Sequence, residues 1–265
     1  MPSSDALARF LAVLLGLAAL VPPAFGFDPE RDTWLLPAES ARPAEARRPV
    51  APLEFARIRA TANDQDPEYA TADQLALIDA AQRGDRNGLE ALLKRGVNPN
   101  GRPDLWGRSA LIHAVERDDV AMVRLLLEAG ADPDLKAGSY RPLGVAAFLG
   151  HARIARQLLR AGANPDLKSD DGNTPLTAAA GMNRLEAIRV LLAGHADYTL
   201  FNLEGRTALS VAALAGFEAA VRLMLESGVD ANVPDRTGGT AMVSAGIDGH
   251  KPILALLVQH GAETR

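Results

Sequence analysis

One step of this chain comes back six times at nearly constant spacing, and such a period limits the fold more sharply than any composition does. Aligned on the residue before a Pro-Leu or Ala-Leu-like step, the copies start at Leu75, Ser109, Arg141, Thr174, Thr207 and Thr240, at spacings of 34, 32, 33, 33 and 33 residues. A unit of this length has room for a turn and two short helices. It cannot bury its own apolar face, whereas stacked copies can. An elongated stacked array is therefore expected, and the helix signals within each unit make it an all-α solenoid.

The residues within each unit say what each place does. Thr174-Pro175-Leu176 opens a helix with a hydroxyl that can cap backbone amides and a Pro at the first turn, where no donor is lost. Ser109-Ala110-Leu111, Thr207-Ala208-Leu209 and Thr240-Ala241-Met242 repeat the device. The pairs Ala80-Ala81, Ala146-Ala147, Ala179-Ala180 and Ala212-Ala213 follow, small enough to let neighbouring helices approach, with Ala114-Val115 and Ala245-Gly246 as variants. The second helix carries Leu92-Leu93, Leu126-Leu127, Leu158-Leu159, Leu191-Leu192, Met224-Leu225 and Leu257-Val258, which should form a continuous core. Gly96, Gly130, Gly162, Gly228 and Gly261 then end it in the left-handed conformation that suits glycine. The fourth repeat has His195 there, which predicts strain at a positive φ.

This pattern resembles the ankyrin family over about residues 71 to 265. It is carried most clearly by the runs Arg124 to Asp132, Gly172-Asn173-Thr174-Pro175-Leu176 and Gly205-Arg206-Thr207-Ala208-Leu209. The resemblance implies helix-turn-helix repeats with β-hairpin-like finger loops, near 73–103, 104–137, 138–169, 170–202, 203–235 and 236–265. It also implies noncatalytic binding of other proteins, through the finger tips and the exposed ends of the first helices. Three departures stand out. The first repeat lacks the Thr-Pro start, the third has Arg141 in the capping place and a turn one residue short, and the last is apolar on several sides of its second helix.

On the positions that match the family's contact places, the first-helix ends offer Phe148, Leu149, Met182, Leu214 and Ile247, an apolar ladder along the groove. The alternative is that ordinary packing or the N-terminal segment covers them. Finger places hold Leu105, Trp106, Arg108, Tyr140, Asp170, Asp171, Phe201, Glu204, Arg206 and Arg236. Trp106 and Tyr140 are the sharpest candidates, since a large amphipathic aromatic in an exposed turn is a frequent hot spot. Packing of Trp106 onto the next finger is the competing reading.

Ahead of the repeats, Arg9 precedes an apolar run from Phe10 to Val21, then Pro22-Pro23-Ala24-Phe25-Gly26. The run is too short for a bilayer span, which needs roughly 20 residues. Its flanks match an export signal over residues 1–26, cut after Gly26, with an uncleaved anchor as the alternative. Residues 27–70, with Pro29, Pro37, Pro43, Pro49, Pro52 and Pro67, read as an extended linker with room for a short helix over Glu54 to Ala60.

Chemistry is harder to find. A net charge of −5 disfavours a nucleic-acid partner, and the absence of Cys rules out disulfides, thiolate metal sites and thiol nucleophiles. No GxSxG, HExxH, GxxxxGK[ST] or GxGxxG occurs. His151, His195, His250 and His260 are spread over separate repeats, and His113 reads as a satisfied core or groove histidine in preference to a metal ligand. The expectation is a periplasmic or secreted monomer that binds an unidentified protein, inserts into no membrane once its signal is cut, and needs no metal or cofactor. Alternatives are an immunity-type inhibitor of a toxin and, in another class, a metal-dependent enzyme using His113.

Overall fold

A computed structural model describes residues 71–263 except 102, 105 and 106, together with the backbone of 27–28 and 33–34. The expected signal, the helix over Glu54 to Ala60, and Leu105 and Trp106 lie outside the described residues. The chain divides into two units, Met1–Ala72 and Asp73–Arg265. Within the first, Phe27–Asp28 (β1) and Thr33–Trp34 (β2) form an antiparallel ladder with Phe27 opposite Trp34, so the expected linker contains a local pairing.

Residues 72–259 hold twelve helices in six hairpins. The first helices of the hairpins are α1 (Ala72–Arg83), α3 (Ala110–Glu116), α5 (Pro142–Leu149), α7 (Pro175–Gly181), α9 (Ala208–Leu214) and α11 (Ala241–Ile247). Each is followed by its second helix: α2 (Arg86–Lys94), α4 (Val120–Glu128), α6 (Ala152–Arg160), α8 (Leu185–Ala193), α10 (Glu218–Glu226) and α12 (Lys251–Gln259). Among the described residues no helix is long and apolar enough to cross a membrane.

From the second repeat on, first helices pack against their neighbours more closely than second helices do. The alanine pairs explain this. Ala114, Ala146, Ala147, Ala179, Ala180, Ala212, Ala213 and Ala245 are all fully buried, and side chains of this size bring backbones together. A row spaced more tightly than its partner row curves the array toward itself, so the first helices become the inner, concave layer. The longer side chains Leu126, Leu158, Leu191, Met224 and Leu257 fill the space between outer helices and are likewise fully buried.

The capping logic holds with two exceptions. Ser109, Thr174 and Thr207 accept from the amides of Ile112, Thr177 and Ser210 at 3.3, 3.1 and 3.3 Å. Thr240 makes no such bond. Arg141 cannot cap, and instead its guanidinium reaches the carbonyl of Asp134 at 2.6 Å. His195 does stand in the left-handed region, at φ 61°, where Gly130, Gly162, Gly228 and Gly261 stand in their repeats.

Two sets of polar bonds tie neighbouring repeats. At the inner edge, Arg117 donates to the carbonyl of Gln82, Arg184 to that of Phe148, and His250 Nε2 lies 3.0 Å from that of Leu214. Along the loops after the outer helices, Asn100, Asp134, Asp166 and Asn232 accept from the amides of Asp132, Asn164, Asp197 and Glu263. Thr199 interrupts this ladder: its hydroxyl turns back onto Asp197 at 2.6 Å. That bond, with the amide of Thr199, also holds the Asp197 carboxyl below its usual range.

Candidate partner-binding surface

Each finger closes on itself before meeting its neighbour. Amides of Asp104, Ser169, Asn202 and Asp235 donate to the carbonyls of Arg108, Asn173, Arg206 and Gly239, each four residues on. The third finger, one residue shorter, closes instead as a two-residue turn with Ala137 paired to Tyr140. The missing residue removes length from the finger without unmaking it. That turn meets the second finger backbone to backbone: a Cβ added at Gly107 would lie 2.8 Å from Gly138 Cα.

Side chains then link the fingers into a row. Lys136 pairs with Asp170 at 2.5 Å, and that contact holds the Asp170 carboxyl below its usual range. Lys168 donates to the carbonyl of Phe201 at 2.6 Å while its ammonium stands 5.3 Å from the centre of the Phe201 ring. Arg236 binds the carbonyls of Gly205 and Leu203 through its amide and guanidinium, at 2.8 and 3.1 Å. The tips are thereby presented on a braced edge, which lowers the ordering cost of binding.

The candidate residues fall into three groups. Tyr140 and Phe201 are exposed, at 45% and 38%. Phe148, Leu149, Met182 and Leu214 are half-buried, so the apolar ladder expected along the groove is narrower than a fully exposed strip, and Ile247 is its one exposed rung, at 64%. Arg108 is half-buried, with Nε 3.3 Å from Glu116 Oε1. Its guanidinium is engaged at the end of α3. The sequence reading missed Leu203, the most exposed apolar residue of any described finger at 63%. Its signal was a leucine between Asn202 and Glu204 in a turn that otherwise favours polar residues.

His113 is a satisfied core histidine. It is buried under the second finger, with Nε2 2.8 Å from Asp104 Oδ2 and Nδ1 3.7 Å from Glu116 Oε2. The other oxygen of Asp104 accepts from the amide of Arg108 at 2.8 Å, which ties the imidazole to the base of the finger. Among the described residues no group of three or more His, Asp or Glu side chains is placed to hold a metal ion.

The repeat geometry agrees with a direct comparison. A family model described as "Ankyrin repeats (3 copies)" matches residues 56–137, 138–202 and 195–265. The chain belongs to the ankyrin-repeat family. Ankyrin repeats are protein-interaction modules, generally non-enzymatic. Among solved structures, an ankyrin repeat domain from Acinetobacter baumannii AYE is 29% identical with a TM-score of 0.65, covering 71% of this chain and 98% of that one. The ankyrin repeat domain of Bcl-3 is 26% identical with a TM-score of 0.66, covering 71% and 87%.

Curated relatives match over shorter stretches. A putative ankyrin repeat-containing protein of Treponema pallidum (strain Nichols) is 44% identical over 61 residues, 23% of this chain and 20% of that protein. The 2-5A-dependent ribonuclease of Mus musculus is 43% identical over 61 residues, 23% of this chain and 8% of that protein. The human DNA-binding protein RFXANK is 35% identical over 79 residues, 30% of each. The chain thus spans less than a third of these relatives, and the likeness lies in the repeats.

Proposed function

We propose that this ankyrin-repeat protein is an exported, noncatalytic adaptor or accessory factor that holds one partner protein of the cell envelope against its fingers and inner-helix ends. The observation that carries this reading is where apolar surface is left exposed. Among the described residues six large apolar side chains are exposed, and four of them, Tyr140, Phe201, Leu203 and Ile247, sit on fingers or an inner-helix end. The other two, Val243 and Val258, belong to the last repeat, at places where Ser210 and Leu225 of the preceding repeat are buried. Exposed aromatic and aliphatic groups on a braced, polar-rimmed edge are what a protein interface requires. Export is supported by the leader-like residues 1–26.

The test is affinity capture from an envelope extract with the full chain, comparing wild type with a Tyr140→Ser, Phe201→Ser, Ile247→Asp variant. A specific partner should be lost at a cost of about 2 kcal/mol or more, roughly thirtyfold in affinity, with the melting temperature unchanged. Equal capture by the variant would overturn the assigned surface. Fractionation with N-terminal sequencing tests export: a mature chain starting at Phe27 is expected, and a full-length chain in the cytoplasm would refute it.

A further inference from the structure

The outer helices carry a row of arginines that the groove reading leaves unused. Arg124, Arg156, Arg189 and Arg222 occupy one equivalent place on α4, α6, α8 and α10, and all four are exposed. Helices in contact lie about 8–10 Å apart, so the row runs straight across four repeats on the side away from the inner helices. On three of these helices an acid one turn away pairs with the arginine: Glu128 with Arg124 at 3.9 Å, Glu186 with Arg189 at 3.7 Å and Glu218 with Arg222 at 2.7 Å, the first two being loose, exposed contacts that leave the arginine open to another anion. The second helix of the first repeat follows the same habit with Glu90 and Lys94.

α6 breaks it. Its sequence, ARIARQLLR, contains no acid, and its Arg153, Arg156 and Arg160 are all exposed. Spaced three and four residues apart, they share one helix face opposite the buried Ile154, Ala155 and Leu158. None of the three has an acidic partner or hydrogen bond among the described residues. Beside them, between α6 and α8, lies an open cleft of about 380 Å³ lined by Arg156, Arg160 and Arg189 together with the apolar Leu159 and Val190. In a chain of net charge −5, the unpaired Arg156 and Arg160 meet Arg189 at this cleft, with Arg153 on the same helix face, and together they form a local reversal of sign.

We infer that this outer face seats against an anionic phospholipid surface, with headgroup phosphates between Arg156, Arg160 and Arg189. Charge complementarity commits the site to an anion, and guanidinium forks match phosphate oxygens. Single-stranded nucleic acid would favour interleaved aromatic side chains for stacking, and this face has none. α6 keeps its apolar side in the repeat core, so contact is peripheral and electrostatic, without insertion. The inner helices then face away from the lipid.

The experiment is cosedimentation of the full chain with vesicles of phosphatidylcholine alone or mixed with phosphatidylglycerol. The readout is the excess binding to the anionic vesicles, since any apolar contribution of the N-terminal leader is common to both. Each arginine near an anionic surface contributes about 1 kcal/mol, so R153Q/R156Q/R160Q should weaken that excess by about a hundredfold. High salt should abolish it. These exposed residues leave the fold intact, which the melting temperature of the variant verifies, and an R124Q/R222Q control with paired arginines should change binding far less. Equal binding to neutral vesicles or an unchanged triple variant would overturn the inference. So would retention of an acidic peptide or oligonucleotide in place of the vesicles.

Discussion

Asp119 serves two repeats at once: its carboxylate accepts from the Met122 amide at 2.9 Å, capping α4, and from Arg86 Nε of the preceding repeat at 2.9 and 3.1 Å. Burial pushes its pKa up, but the Arg86 hydrogen bond and the Met122 amide outweigh that, and the group is held below its usual value. A carboxyl depressed on folding contributes stability that is fully present above the unfolded value, near 4, and is lost as pH falls through the lower folded value. Asp119→Ala should cost about 1–2 kcal/mol at neutral pH, and the loss should shrink in acid. Urea unfolding at neutral and acid pH measures both; a constant difference would mean the carboxylate is not responsible.

His195→Gly should stabilise the fourth repeat by about 0.5–1 kcal/mol, because glycine adopts φ near +61° without the steric cost a histidine meets. A rise in melting temperature is the expected result, and a fall would show that the imidazole makes a contact worth more than the strain.

Glycines with and without room should respond oppositely. A Cβ at Gly144, inside α5, would meet nothing within 4 Å, so Gly144→Ala should gain about 0.5–1 kcal/mol of helix stability. Gly107 has a positive φ and the Gly138 backbone against it, so Gly107→Ala should lose about 1–3 kcal/mol. Chemical denaturation of the two variants side by side decides this.

His113→Leu tests the link between α3 and the second finger. Leucine matches the aliphatic residue the ankyrin pattern prefers there, yet it removes the partner held 2.8 Å from the half-buried Asp104 carboxylate. Stability should fall by about 1–3 kcal/mol, with faster amide exchange at Arg108. If the variant were as stable as wild type, packing at this place would outweigh the polar link.

The repeat period was legible as recurrence in the sequence itself, and the caps at Ser109, Thr174 and Thr207 and the strained His195 were legible because each follows from backbone geometry within about one helical turn. Partnerships across repeats were not. That Arg86 answers Asp119, or that Asp104 answers His113, depends on how one hairpin lies on the next or on how a finger folds over its helix. Exposure of the groove was half legible for a related reason. Phe148, Met182 and Leu214 stand where the pattern puts an exposed residue, but close stacking of the inner row buries half of each.

The interruption at Thr199 gives the array an uneven seam. Between the fourth and fifth repeats the loop ladder stops, because the Thr199 hydroxyl is turned onto Asp197 of its own repeat. The fingers on either side stay joined, Lys168 to the carbonyl of Phe201 and Asn202 to Asn173. Because α8 and α10 pack there as closely as any neighbouring pair of outer helices, this seam is held by apolar contact and by its fingers more than by polar stitching along the loops.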